Sequence, residues 1–213
     1  IKAVVLAGAG GHFCSGGDFQ GMQATLTAVD GRTRLRGAHH FITEMLGCER
    51  PVIAAVDGIA YGAGMRLALA ADFVIASPRA RFCSAFLRAG LVPDLGLMYT
   101  LPRMVGLQRA KEIVYTAREI GAVEAKALGL VLEIAEDGDV VAHAQAFAAR
   151  FAHASVAALG MAKHGLNTSF ESDLNAALSI EAYAQGVAMA TPEHQQAVRR
   201  FLDKQPPVYQ WPQ

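Results

Sequence analysis

Two short apolar runs each end in a glycine-rich turn, and this pairing constrains the fold more than any other feature of the chain. The first run is Val4-Val5-Leu6, followed by Phe13-Cys14-Ser15-Gly16-Gly17-Asp18; the second is Val52-Ile53-Ala54-Ala55-Val56, followed by Gly58-Ile59-Ala60-Tyr61-Gly62-Ala63-Gly64-Met65. Both runs are short, bounded by Gly or Pro and rich in β-branched residues, so they read as buried strands. After each, glycines let the main chain come close to a ligand, and after the second an Ala-rich helix begins near Ala63. One such turn by itself is an ordinary tight connection. Two of them together can aim backbone N–H groups at one point, an arrangement that suits an anion.

Composition narrows the class. The chain of 213 residues is 53% hydrophobic and 18% charged, enough apolar material for one core with some left for subunit contacts. Its 19 basic and 19 acidic side chains leave no field that would recruit nucleic acid or an anionic membrane. Cys14, Cys48 and Cys83 are odd in number and lack metal-ligand spacing, which predicts reduced thiols in a cytoplasmic setting. No apolar stretch reaches a membrane span, because Arg66, Asp72, Arg79 and Arg81 interrupt the Ala-rich segments, and no secretory signal is present.

Pattern and punctuation place the remaining elements. A turn with Gly21 and Gly31 leads to a helix around Thr33 to Leu46, whose His39, His40 and Glu44 read as surface or interface groups. Residues 63–71 form a helix, 72–77 a strand and Arg81-Phe82-Cys83 another extended piece. Short helices follow from Leu95, with a strand near Leu130 to Ile134, and Val140 to Leu202 reads as three or four helices. Ala144, Phe147 and Phe151 lie at helical spacing and signal core. Glu171-Ser172-Asp173-Leu174 opens an amphipathic helix whose apolar face suits a neighbouring subunit. His143, His153 and His164 have no Glu or Cys at metal spacing, and Lys163 and Lys204 read as solvated lysines although an ammonium can meet a phosphate.

The pair of turns resembles the crotonase (enoyl-CoA hydratase/isomerase) superfamily, whose patterns are Phe-x-x-Gly-(Ala/Gly)-Asp and Gly-x-Ala-x-Gly-Gly-Gly. Similar motifs continue in Asp72-Phe73-Val74-Ile75-Ala76, Gly90-Leu91-Val92-Pro93-Asp94-Leu95-Gly96, Leu101-Pro102-Arg103, Ala122 to Val131 and Pro206-Pro207, covering nearly the whole chain. The resemblance implies an α/β, crotonase-like (ClpP/crotonase) fold of repeated ββα units with a helical C-terminal region. Residues 1–135 would form the core and 136–213 a helical trimerisation region, giving a homotrimer or dimer of trimers. Ile1 opens directly inside a strand, so the family's first strand and helix, with part of its CoA-adenine surface, are expected to precede it. The implied substrate is an acyl-CoA thioester, with Gly17 and Ala63 giving the two oxyanion-hole N–H donors and no cofactor beyond the coenzyme A of the substrate. Ala63 stands where the family has a middle Gly, which leaves a backbone donor intact. Cys14, Ser15, Gly16, Asp18, Tyr61, Gly62, Met65, Arg66, Phe86, Leu91 and Leu97 are the expected substrate-binding positions.

The acid and base depart from the family. Hydratases of this type use two glutamates, and the matching positions here are Arg66 and Phe86, neither of which is a carboxylate. Asp94 matches an Asp that in dienoyl-CoA isomerases, epoxyphenylacetyl-CoA isomerase-like enzymes and a dehalogenase serves as proton carrier or nucleophile. If Phe86, Met65, Leu91 and Leu97 enclose it, burial raises its pKa into a useful range. An Arg66–Asp94 ion pair would do the opposite, and an Asp before Leu95-Gly96-Leu97 also suits a helix N-cap. The expectation is an enolate-forming double-bond isomerase with Asp94 as acid/base, with Phe86, Leu97, Met98 and Tyr99 as an apolar wall. A 2-enoyl-CoA hydratase with a non-standard acid/base set and a non-catalytic acyl-CoA-binding homologue are the alternatives.

Overall fold

The strand β2 (Val52–Val56) is buried along its whole length, and the rest of its sheet is laid out around it. The computed structural model describes residues 1–18, 27–136 and 138–211. β2 pairs in parallel with β4 (Phe73–Ala76), in the register Ile53↔Phe73 to Val56↔Ala76. β1 (Val4–Ala7) lies on the other side of β2, and β7 (Glu133–Ile134) lies beyond β4, also parallel to it. A parallel strand covered on both faces needs apolar residues at every position, which is why β2 reads as a continuous Val/Ile/Ala run.

A second sheet has the order β3 (Ile59–Tyr61), β5 (Arg81–Cys83), β6 (Glu119–Gly121), with β3 parallel to β5 and β5 antiparallel to β6. β3 corrects the sequence reading, which treated Gly58 to Met65 as one turn. Its backbone groups find partners on β5, with Arg81 N–H donating to the Gly58 carbonyl at 2.8 Å and Gly62 N–H to the Cys83 carbonyl at 2.8 Å. Three residues of strand between two glycines carry too little periodicity to be seen in sequence.

Helix α1 (Ala28–Gly47) begins five residues before the expected Thr33. Thr27 and Asp30 form a reciprocal cap: Thr27 N–H and Oγ1 donate to Asp30 Oδ2 at 3.0 and 2.6 Å, and Asp30 N–H donates to Thr27 Oγ1 at 3.2 Å. Gly31 therefore lies inside the helix, while Gly21 lies outside the described residues. The short α2 (Ala63–Ala68), a 3-10 turn at Ala85–Ala89, α3 (Leu97–Val105), α4 (Leu107–Thr116) and α5 (Ala122–Ala127) complete the segment around the two sheets. α6 (Val140–Ala149), α7 (Val156–Thr168), α8 (Leu174–Met189) and α9 (Pro192–Leu202) follow.

By their contacts the residues form two compact units. One comprises Val5–Leu46 and Val52–Gln145, and the other Ile1–Val4, Gly47–Pro51 and Ala146–Gln213. The first holds the core around Val56, Met65, Phe82, Leu97, Ile113 and Ile120, each with no solvent exposure. At about 25 cal/mol per Å² of buried apolar surface, such side chains supply most of what holds these short elements together. In the second unit Phe147 and Phe151 are buried as expected and meet Trp211 edge to face, with centroids 5.4 and 5.1 Å away. Among the described residues no helix is long and apolar enough to cross a membrane.

Candidate active site

The two glycine-rich turns lie against each other. Cys14 forms a parallel bridge to Ala60: Cys14 N–H donates to the Ile59 carbonyl, and Tyr61 N–H to the Cys14 carbonyl, both at 3.0 Å. Gly16, at φ 103°, approaches so closely that a Cβ would sit 2.8 Å from the Tyr61 carbonyl oxygen and 3.6 Å from Ala63 N. From the other side, a Cβ on Gly64 would strike the Cys14 carbonyl oxygen at 2.2 Å. Each glycine thus makes room for the opposite turn, and any side chain at Gly64 would push the turns apart. Neither Gly17 N–H nor Ala63 N–H has a backbone or side-chain acceptor among the described residues. Ala63 N–H belongs to the first residue of α2, where a helix has no internal acceptor to offer.

A polar clamp holds the turns in place. Asp57 accepts from Gly58 N–H at 3.0 Å, Ser77 Oγ at 2.7 Å and Arg79 Nε at 2.8 Å. Arg79 Nη2 bridges onward to the Gly11 carbonyl at 2.6 Å, and His12 Nδ1 accepts from Ile59 N–H at 3.3 Å. The Arg79 guanidinium holds the Asp57 carboxyl below the usual carboxylate range. The sequence reading missed this clamp, although the Asp57-Gly58 pair closing β2 was its visible signal.

Arg66 is 2% exposed on α2. Its Nε donates to the Leu95 carbonyl at 2.8 Å, Nη1 is buried without a partner, and burial draws its pKa down to about 10. That value still leaves a cation at neutral pH. Asp94 does not cap α3: that helix starts at Leu97 with Gly96 as N-cap and no side-chain capping bond, and it is the Asp94 carbonyl that accepts Leu97 N–H, at 2.9 Å. The expected cap is therefore absent, because Leu95 and Gly96, at φ 52° and 84°, turn the chain away before the helix begins. Nor does Arg66 pair with Asp94 among the described residues, since the guanidinium is held by the neighbouring carbonyl. Asp94 Oδ1 is buried and without a hydrogen-bond partner among the described residues, and burial pushes the carboxyl above its usual range. The charge of His39 on α1 opposes that shift, so a residue read as merely superficial acts on Asp94.

The other expected positions divide. Met65 and Leu97 have no exposure and Phe86, in the 3-10 turn, only 7%, whereas Leu91 is 45% exposed and not part of that buried wall. Met98 and Tyr99 are likewise exposed, so the apolar wall is narrower than expected. Gly62 faces Phe86, whose Cζ would lie 3.9 Å from a Cβ there. Tyr61 donates its hydroxyl to Glu119 Oε1, and burial with that carboxylate pushes its pKa up to about 12. Ser15 and Asp18 are exposed beyond Cys14. Ser84 has no exposure and, among the described residues, no partner for its hydroxyl; nothing in its sequence context marks it. Among the described residues no three His, Cys, Asp or Glu side chains are grouped to hold a metal. The site therefore combines two adjacent N–H donors with one half-buried carboxyl that holds its proton more tightly than usual.

A family model described as enoyl-CoA hydratase/isomerase matches residues 1–212. The chain is 40% identical over 209 residues to a "Probable enoyl-CoA hydratase" of Rhodobacter capsulatus, covering 98% of this chain and 80% of that one. It is 32% identical over 212 residues to the 1,2-epoxyphenylacetyl-CoA isomerase of Escherichia coli K12, covering 98% and 81%. Among solved structures, an enoyl-CoA hydratase/isomerase from Cupriavidus metallidurans superposes with a TM-score of 0.92 at 44% identity, covering all of this chain and 80% of that one.

Proposed function

The chain belongs to the enoyl-CoA hydratase/isomerase family of acyl-CoA enzymes, and from that premise we propose that it moves a double bond along an acyl-CoA thioester, with Asp94 as the acid/base. The thioester oxygen sits between Gly17 N–H and Ala63 N–H. The Asp94 carboxylate takes a proton from one carbon of the acyl chain, and the electron pair moves through the conjugated system onto the thioester oxygen. The two N–H groups stabilise that charge as it develops. The protonated Asp94 then returns its proton to another carbon, the double bond has shifted, and the enzyme is restored.

The observation that carries this reading is the buried, unpartnered Asp94 Oδ1, with its proton affinity raised by burial. A carboxyl tied into an ion pair would be a weak base, and no such pair holds this one among the described residues. The N–H donors come from turns clamped by Gly16 and Gly64, so they need no rearrangement when charge appears. Arg66 and Phe86 stand where a two-glutamate hydratase has its carboxylates, which supports isomerisation over water addition. Coenzyme A enters as part of the substrate, no separate cofactor takes part, and the three thiols suit a cytoplasmic enzyme.

The test compares wild type with Asp94→Asn on 3-enoyl- and 2-enoyl-CoA thioesters, with products separated by chromatography. Double-bond migration should fall by about 10²- to 10⁴-fold in the variant. Hydration without migration would replace this reading by the hydratase one. Thioester binding with neither reaction would make the chain a non-catalytic homologue.

The proposed assembly is a homotrimer or a dimer of trimers formed through the C-terminal helices. α8 and α9 contain no buried residue, and they expose Leu174 (72%), Tyr183 (80%) and Phe201 (82%). Light scattering should give three or six times the chain mass.

A further inference from the structure

Three side-chain atoms among the described residues are buried without a hydrogen-bond partner: Arg66 Nη1, Ser84 Oγ and Asp94 Oδ1. Each belongs to, or adjoins in sequence, a residue hydrogen-bonded to the same short helix. Arg66 lies on α2, and Ser84 follows Cys83, whose carbonyl accepts from the α2 N-cap Gly62. Asp94 precedes Leu95, whose carbonyl accepts from Arg66 Nε. The proposed reaction uses Asp94 and leaves the other two unexplained.

Arg66 is the harder to explain away. It stays protonated at neutral pH, is 2% exposed, and has one hydrogen bond and no ion pair among the described residues. A buried cation left uncompensated destabilises a fold, and an apolar residue of similar volume would serve packing better. The backbone over it is also strained. Leu95 takes φ 52°, a left-handed conformation that side chains with a Cβ rarely adopt, and this turn brings its carbonyl to the guanidinium. The following Gly96, at φ 84°, runs so close that a Cβ there would lie 3.7 Å from Arg66 Nη2. Strain and an unpaired charge kept together at a reaction site point to a ligand that relieves one of them.

The location says which part of the ligand that is. Residues 63 and 66 share one helix face about 4.5 Å apart along the axis, and side chains on a helix lean toward its N-terminal end. The Arg66 side chain therefore leans toward the end of α2 that carries the Ala63 N–H. With the thioester oxygen held by the N–H pair, a second anion must lie further along the acyl chain. A planar guanidinium matches a carboxylate with two parallel hydrogen bonds. We infer that Arg66 receives a carboxylate at the far end of the acyl group, so that the substrate is the coenzyme A monothioester of a dicarboxylic acid. This assignment rests on the acyl-CoA reading above and names its substrate class.

The test is calorimetric binding of freshly prepared saturated thioesters, which carry no double bond to move, in chain-matched pairs: succinyl- with butanoyl-CoA, glutaryl- with pentanoyl-CoA, adipyl- with hexanoyl-CoA. At one chain length or more, wild type should bind the carboxylated member about 10- to 100-fold tighter. Arg66→Met should erase that preference with an unchanged or raised Tm, and Arg66→Lys should keep part of it. If no carboxylated thioester outbinds its partner while Asp94-dependent migration persists, the anion site is wrong and the isomerase reading stands. If no thioester binds at all, both fall. A preference intact in a folded Arg66→Met variant also overturns the assignment. The wild-type comparison decides the matter should that variant not fold.

Discussion

The segment from β2 to β4 and the helices α7 and α8, which α9 follows, are both rich in alanine and small apolar residues, yet they are held by opposite means. In the first, Ile53, Ala54, Val56, Met65 and Ala68 have no solvent exposure, and a glycine inside α2 is pressed against the facing turn. In the second, Gly160 is the one buried residue of α7, and α8 and α9 have none. The helices keep regular ends through side-chain caps, Ser155, Asp173 and Thr191 each accepting from the first turn. Composition alone does not tell these regions apart. What differs is where the apolar surface goes: into the same unit in one case, and outward in the other.

Paired substitutions put that contrast to the test. Gly64→Ala places a methyl 2.2 Å from the Cys14 carbonyl oxygen and should cost about 3–5 kcal/mol or prevent folding, seen as a lost or much lowered denaturation midpoint. A midpoint near wild type would mean the turns are not clamped. Ile53→Ala, with no exposure in β2, should cost about 2–5 kcal/mol, while Leu178→Ala, 51% exposed on α8, should cost less than about 0.5 kcal/mol in a dissociated protomer. A large Leu178 effect that vanishes on dilution would locate its partner in another copy. Gly186→Ala meets nothing within 4 Å and should stabilise α8 by about 1 kcal/mol. Destabilisation there in the assembled protein, measured by thermal melting, would show that a neighbour fills the space.

The half-buried Asp94 carboxyl gives a prediction with two readouts. Asp94 has a raised folded pKa, so the folded state holds that proton more tightly than the unfolded chain. Its stabilising contribution is present below the unfolded value of about 3.9 and is lost as pH rises toward the folded value. Asp94→Asn should therefore be as stable as wild type or more so at neutral pH, while losing turnover; a marked loss of stability would make Asp94 structural. Activity of wild type should fall on the acid side at a pH above the ordinary carboxylate value. The smallest effect belongs to His39→Gln. Removing that charge should move the acid limb upward by a fraction of a pH unit, and a downward move would contradict the assigned sign.

Much of this was legible from sequence for identifiable reasons. β2 and β5 have the bounds their β-branched and apolar runs predict, and Asp173 begins α8 as an N-cap should. The early start of α1 was also readable, because Thr27 and Asp30 have capping-box spacing. β3 and β6, three residues each, were not readable, since their strand character comes from pairing with β5. At the site, the apolar residue types around Asp94 point to burial of its carboxyl, while the local pattern also suits a helix cap, which positive φ at Leu95 and Gly96 prevents. The orphaned Ser84 hydroxyl and the reach of His39 to Asp94 depend on tertiary placement alone.

The central claim is that Asp94 exchanges a proton with the acyl chain while the clamped N–H pair holds the enolate. Its most direct measurement is mass spectrometry of an acyl-CoA thioester incubated in deuterated water with wild type and with folded Asp94→Asn. The account predicts deuterium at carbon in the wild-type sample and none above background in the variant. Equal deuterium uptake by both proteins would contradict it.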